Sequence, residues 1–210
     1  TSCADDGSPG TLRTVAAEVH DGDTIDLTQL TCSTITLEQG AIDTSVLGPN
    51  PVDNLKIVGP GRDRLTISGK GNSAVCVAGG PFFGGTFTLS NLTVAYGAKY
   101  DTAACVSAFS QYLVLDNGDV TDCHTRMAGG GRSGGAVSAA YVRLVDSTIS
   151  DSSITAVDRN VAAGGGLWAY QAILVGSTIS GNSVIAPMES AYQGYRTAGG
   201  GVYTGGSAVL

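Results

Sequence analysis

The sequence predicts an all-β protein: a right-handed parallel β-helix, or solenoid, with a short N-terminal capping helix. Three observations predict it. First, the stretch GGAVSAAYVRLVDSTISDSS at residues 134–153 recurs as GGGLWAYQAILVGSTISGNS at 164–183, and a further copy, GGGVYTGGSAVL, opens at 199. Second, each copy alternates apolar and polar residues over a few positions and then breaks at Gly, Asn, Asp or Ser, the pattern of short strands joined by tight turns. Third, the chain carries 31 glycines and only 14% charged residues, against about a quarter charged in ordinary domains. Small and β-branched side chains of this kind suit thin sheets stacked in files.

The amino-terminal element differs from the rest. In PGTLRTVAAEVHDGDTIDL, residues 9–27, Leu12, Val15, Ala16 and Val19 fall at helical spacing,. Thr11 is placed to cap a short helix and Gly22 to end it, with His20 in its last turn. Such a helix would cover the open end of the first coil. DTIDL would follow as the first strand. Residues 1–30 therefore read as a cap with one strand, and 31–210 as solenoid coils.

The coils are justified by alignment. Val137 falls on Leu167, Leu144 on Leu174, and Ser147 to Ser150 on Ser177 to Ser180. Fainter copies precede them: LDNGDVTDC at 115–123, LSNLTVAYG at 89–97, LTISGKG at 65–71, LKIVGPG at 55–61 and STITLEQGAI at 33–42. A single unit cannot bury its apolar face, so neighbours stack and their strands pair in parallel at about 4.8 Å. Leu144, Ile149, Leu174 and Ile179 are expected to point inward. Thr148, Ser150, Thr178 and Ser180 are expected to face solvent. The glycines at 134–135, 164–166 and 199–201 read as tight corners before a strand rather than as a phosphate loop. The third copy stops in mid-coil at Leu210, so the native solenoid is expected to continue beyond this sequence, because a bare parallel edge is a liability.

Five cysteines stand at 3, 32, 76, 105 and 123. None has metal-site spacing, and no metal centre is expected. A Cys3–Cys32 disulfide would tie down the first residues and would imply an oxidising compartment. Cys76, Cys105 and Cys123 read as small buried apolar residues. The net charge is −7 with no basic run, which excludes nucleic acid as a partner. No apolar stretch approaches the length of a membrane span, so this segment does not itself insert into a bilayer as a helix.

GTLRTVAAEVHDGDTIDL resembles the amino-terminal signature of bacterial surface β-helix proteins. GGAV, GGGL and GGGV, with STISGN, resemble the glycine-rich repeats of polymorphic outer-membrane proteins and autotransporter passengers. Where the outer-membrane family carries Phe-x-x-Asn, this chain has Ile179 to Asn182 and Ile149 to Ser152. The resemblance implies secretion or display at a bacterial outer membrane, with adhesion as the role.

Two sets of residues are candidates for chemistry. The alignment puts Asp122 over Asp151 and Asp119 over Thr148, with Arg126 close by. Stacked carboxylates repel, so either one is protonated or a cation such as Ca²⁺ lies between them; otherwise no cofactor is expected. Two carboxyls at a defined separation are also what glycoside hydrolysis needs. On that reading Asp119, Asp122, Asp151 and Arg126 would form the catalytic set of a polysaccharide lyase or glycosidase; on the other reading they are turn residues. The second set lies on two long insertions at one corner of successive coils, 154–164 and 184–200. They carry Asp158, Arg159, Glu189, Tyr192, Tyr195 and Arg196, a combination able to hold a glycan or a protein surface. Three functions remain open: a non-enzymatic adhesin or scaffold, a carbohydrate-active enzyme, and a filament subunit that self-associates end to end.

Overall fold

The computed structural model describes residues 2–44, 52–71, 75–77, 84–128, 133–156, 162–185 and 197–209. The chain winds into a parallel β-solenoid, and every strand pair within it runs parallel. A long sheet runs through Asp23–Asp26, Leu55–Val58, Thr86–Ser90, Val106–Asp116, Val137–Val145, Leu167–Val175 and Val202–Thr204. A short sheet stacks Thr34–Thr36, Thr66–Ser68, Thr93–Ala95, Asp119–Thr121, Thr148–Ser150 and Thr178–Ser180. A third sheet stacks Ala98–Tyr100, His124–Met127, Ser153–Ala156 and Ser183–Ile185.

The register follows the sequence repeat. Val137 pairs with Leu167, Leu144 with Leu174, and Ile149 with Ile179. Inward side chains therefore form files. One file runs Ile25, Ile57, Leu89, Leu115, Leu144 and Leu174 along the long sheet. Another runs Ile35, Ile67, Val94, Val120, Ile149 and Ile179 along the short sheet. All but the last member of each file are fully buried; Leu174 and Ile179 are partly buried against the same core. Thr178 and Ser180 are exposed, whereas Thr148 and Ser150 are half-covered by their neighbours.

The corners explain the polar half of the repeat. Asn91, Asn117, Asp146 and Gly176 follow strand ends in register, and each adopts φ between 45° and 55° or, for Gly176, 56°. Tyr96, Asp122, Asp151 and Gly181 form a second left-handed column at the corner between the short and third sheets, with φ of 55°, 52°, 50° and 65°. Asn, Asp and Gly tolerate this conformation best. After the corners at Asp146, Asp151, Gly176 and Gly181 a small polar side chain turns inward and accepts from the coil beneath. Ser147 Oγ accepts from Gly118 N at 3.1 Å, and Ser177 Oγ accepts from Ser147 N at 3.1 Å. Ser152 Oγ accepts from Cys123 N at 3.1 Å, and Asn182 Oδ1 accepts from Ser152 N at 3.0 Å. The recurring Ser and Asn thus satisfy backbone donors that the turn leaves without a strand partner.

The amino-terminal helix spans Leu12–Ala17, with Leu12 and Ala16 buried and Thr11 Oγ1 accepting from Thr14 N. It ends earlier than Gly22. Glu18 caps it through a bond from its N–H to Val15 O, and Asp23 then captures His20 N–H at 2.7 Å. His20 therefore lies in the turn, outside the helix. Val19 still packs against the core. Strand Asp23–Asp26 pairs directly with Leu55–Val58, so it is already a rung of the long sheet.

Two linkages hold the amino-terminal segment down. Cys3 and Cys32 are joined by a disulfide with Cα atoms 6.2 Å apart. Asp5, with its side chain 1% exposed, accepts from Arg13 Nε at 2.7 Å, Arg13 Nη2 at 2.9 Å, Glu38 N at 2.7 Å and Gln39 N at 2.9 Å. Burial alone would raise the Asp5 pKa; the Arg13 hydrogen bond, the Gln39 and Glu38 amides and the Arg13 charge outweigh it, and the carboxyl lies below its ordinary 3.8. Because the folded pKa is depressed, this contribution is complete above pH 3.8 and is lost as pH falls through the lower folded value,. Asp5→Asn is expected to destabilise the amino-terminal cap by about 1–3 kcal/mol at neutral pH. That difference from the parent should shrink on acidification. Hydrogen exchange at the Glu38 and Gln39 amides measures it, and an effect that grows at low pH would contradict the assignment.

Candidate functional site

The four acid and arginine candidates occupy three different places. Asp119 lies on the short sheet in register with Thr93 and Thr148, and Arg62 Nη1 stands 3.5 Å from its Oδ1. The same nitrogen donates to Asp146 O at 2.9 Å, so Arg62 reaches across coils from the loop below. Asp122 and Asp151 are stacked at the left-handed corner, and Thr121 Oγ1 donates to Asp122 Oδ2 at 3.1 Å. Their coil neighbour above is Gly181, at a position where a Cβ would stand 2.4 Å from Asp151 Oδ1. Arg126 is elsewhere, exposed on the third sheet, and donates from Nη1 to Tyr100 Oη at 3.4 Å. The stacking of Asp122 over Asp151 thus has a conformational cause. Among the described residues no three His, Cys, Asp or Glu side chains gather to hold a metal ion.

The six insertion residues Asp158, Arg159, Glu189, Tyr192, Tyr195 and Arg196 lie outside the described residues.

Cys105 and Cys123 are not free apolar thiols but a second disulfide, with Cα atoms 5.7 Å apart. Cys123 occupies the inward corner position that Ser152 and Asn182 fill in the next coils, where hydrogen bonding is the rule. Cys105 precedes the long strand of the same coil, so the bond closes that coil across its interior. Trp168, which replaces Ser138 in register, is 5% exposed and meets Tyr170 edge-to-face at 5.6 Å.

One surface feature was not legible as a site. The outer face of the third sheet forms a groove of about 660 Å³, lined by Lys99, Tyr100, His124, Arg126, Ser153 and Thr155 among others. Strand alternation positions it. Thr125, Met127, Ile154 and Ala156 point inward and are buried, which turns His124, Arg126, Ser153 and Thr155 outward. His124 pairs with Ser153, and its Nδ1 lies 2.9 Å from Ser153 Oγ. Arg126 pairs with Tyr100 on one side and Thr155 on the other. No carboxylate among the described residues lies within ion-pair distance of His124, Lys99 or Arg126. Among those residues none supplies the His124–Ser153 contact with the orienting acid that a Ser-His-Asp triad uses.

Comparisons with protein-family models, with curated proteins and with solved structures find no match. The architecture itself defines the class: this chain is a parallel β-solenoid with a short amino-terminal helix.

Proposed function

We propose that this chain is an exported, non-catalytic β-solenoid, secreted or displayed at a bacterial surface, that acts in adhesion or as a scaffold. One observation carries the reading. The carboxylates that an enzyme on this fold would need are engaged in building it: Asp119 faces Arg62, while Asp122 and Asp151 form a left-handed corner. Two disulfides in a chain of this kind fit an oxidising compartment,. The resemblance to surface β-helix repeats supports the same placement.

A second reading, a carbohydrate-active enzyme, draws support from the groove that brings Arg126 beside His124 and Ser153. The two separate in one assay. Incubation with a panel of neutral and acidic polysaccharides is expected to yield no new reducing ends and no unsaturated products, while surface coated with the chain retains glycan-bearing particles. Product release that disappears in Asp122→Asn or Asp151→Asn would overturn the non-catalytic reading.

A further inference from the structure

Arg13, Arg62 and Lys70 each face a carboxylate. Among the described residues no carboxylate faces Lys99 or Arg126, and both line the same groove of a chain whose net charge is −7. Arg126 uses one nitrogen on Tyr100 Oη, which leaves most of its guanidinium fork directed to solvent,. Tyr100 is 59% exposed and stands in register with Arg126. Ser153 and Thr155 add hydroxyl groups, and His124 keeps Nε2 available while Nδ1 meets Ser153.

We infer that this groove binds an anionic polysaccharide, a sugar chain bearing carboxylate or sulfate groups. The inference rests on the reading of the outer surface as a binding surface, and it names the ligand class and the site. A guanidinium fork and an ammonium group are suited to a planar carboxylate or a sulfate. An exposed tyrosine ring offers an apolar face with a polar tip, which matches the C–H face and hydroxyl edge of a pyranose. The hydroxyls and the imidazole nitrogen can exchange hydrogen bonds with sugar hydroxyls. The groove falls within the roughly 300–1,000 Å³ of small-molecule sites, and it is open along the sheet, so a longer chain can pass through it. Nucleic acid fits poorly, because two fixed cations cannot offset the repulsion of an acidic protein. No carboxylate is among the described residues that line the groove. Salt screens the attraction between these two cations and a polyanion, so binding should weaken as ionic strength rises.

The test is affinity electrophoresis of the full chain, at low and at physiological salt, through gels holding polygalacturonate, dextran sulfate, unsubstituted dextran or duplex DNA. One or both anionic glycans are expected to retard the chain, less so in salt, and dextran and DNA are not. The two glycans tell carboxylate from sulfate. Lys99→Gln with Arg126→Gln should weaken retardation about tenfold or more. Tyr100→Ala should weaken it too, while Arg143→Gln on the long sheet leaves it unchanged. Circular dichroism and melting confirm that each variant is folded. Absence of retardation, equal retardation by dextran or DNA, or full retention of binding in the double variant would overturn the inference. Glycan cleavage accompanied by Arg126-dependent retardation would support the groove and instead overturn the non-catalytic reading.

Discussion

Ile149→Ala is expected to cost about 2–5 kcal/mol, and the same change at Ile179 much less. Both residues hold the same place in the repeat and pair with one another. They differ in cover. Ile149 has Val120 on one side and Ile179 on the other and is fully buried, whereas Ile179 is only partly so. Truncation at Ile149 opens a cavity whose walls belong to three coils that cannot close independently, because their backbones are pinned by parallel pairing. At Ile179 water already reaches part of the side chain, so the lost transfer energy is smaller and the space is refilled by solvent. The measurement is thermal or denaturant unfolding of both variants. A drop of roughly 5–20 °C is expected for Ile149→Ala. Equal losses at the two positions would mean that coil stacking does not set the burial of these files.

Gly135→Ala is expected to be at least as damaging, more than about 3 kcal/mol, beyond the usual overpacking penalty. A Cβ at Gly135 would stand 1.9 Å from Gly165 O and 2.7 Å from both the carbonyl carbon and oxygen of Ser153. These are backbone atoms of residues held in the ladder: Gly165 N donates to Gly199 O and Ser153 N to Cys123 O, while Gly135 N itself donates to Gly164 O. They cannot step aside as a side-chain tip can. The repeated glycine pair therefore marks the place where the start of a third-sheet strand and the corner of the next coil meet without room for a side chain. Gly176→Asn supplies the contrast. Its Cβ would meet only Asp146 Oδ1 closely, and its φ of 56° matches that of Asn91 and Asn117 in the same column. Unfolding of the Asn variant should stay within about 1 kcal/mol of the parent. A Gly135→Ala protein as stable as the parent would contradict the close approach.

The stacking register was legible because two coils repeat almost literally. Aligning their glycines places Leu144 on Leu174, and extending the alignment to the fainter copy at 115–123 places Asp122 on Asp151. The end of the helix was less legible. Val19 continues the apolar spacing, yet the helix stops at Ala17 and Asp23 takes the His20 amide, while the strand begins at Asp23 as expected. The Cys105–Cys123 bond was hidden for a different reason. Its partners lie on separate elements of one coil, and the position of Cys123 is held by Ser152 and Asn182 in later coils, so nothing in the repeat set a bonded pair apart from the small buried apolar residues expected there. The groove escaped because its strands are three or four residues long. Tyr100, His124 and Arg126, with Lys99 exposed on the edge strand of that sheet, show no shared pattern until pairing brings their strands side by side. Asp119 and Arg126, neighbours in sequence, diverge because a corner lies between them.

The most direct test of the stacked-coil account is a distance between spin labels at Thr34 and Thr178, carried on an unnatural amino acid because the chain has its own cysteines. Both positions are exposed on the short sheet. Thr34 leads through Thr66, Thr93, Asp119 and Thr148 to Thr178 by direct pairing. Five strand spacings place their Cα atoms about 24 Å apart, and a single narrow distribution near that value, broadened by the label tethers, is the expected result. A distribution centred well away from it, or two separate populations, would contradict a solenoid in which these strands lie on one another in order.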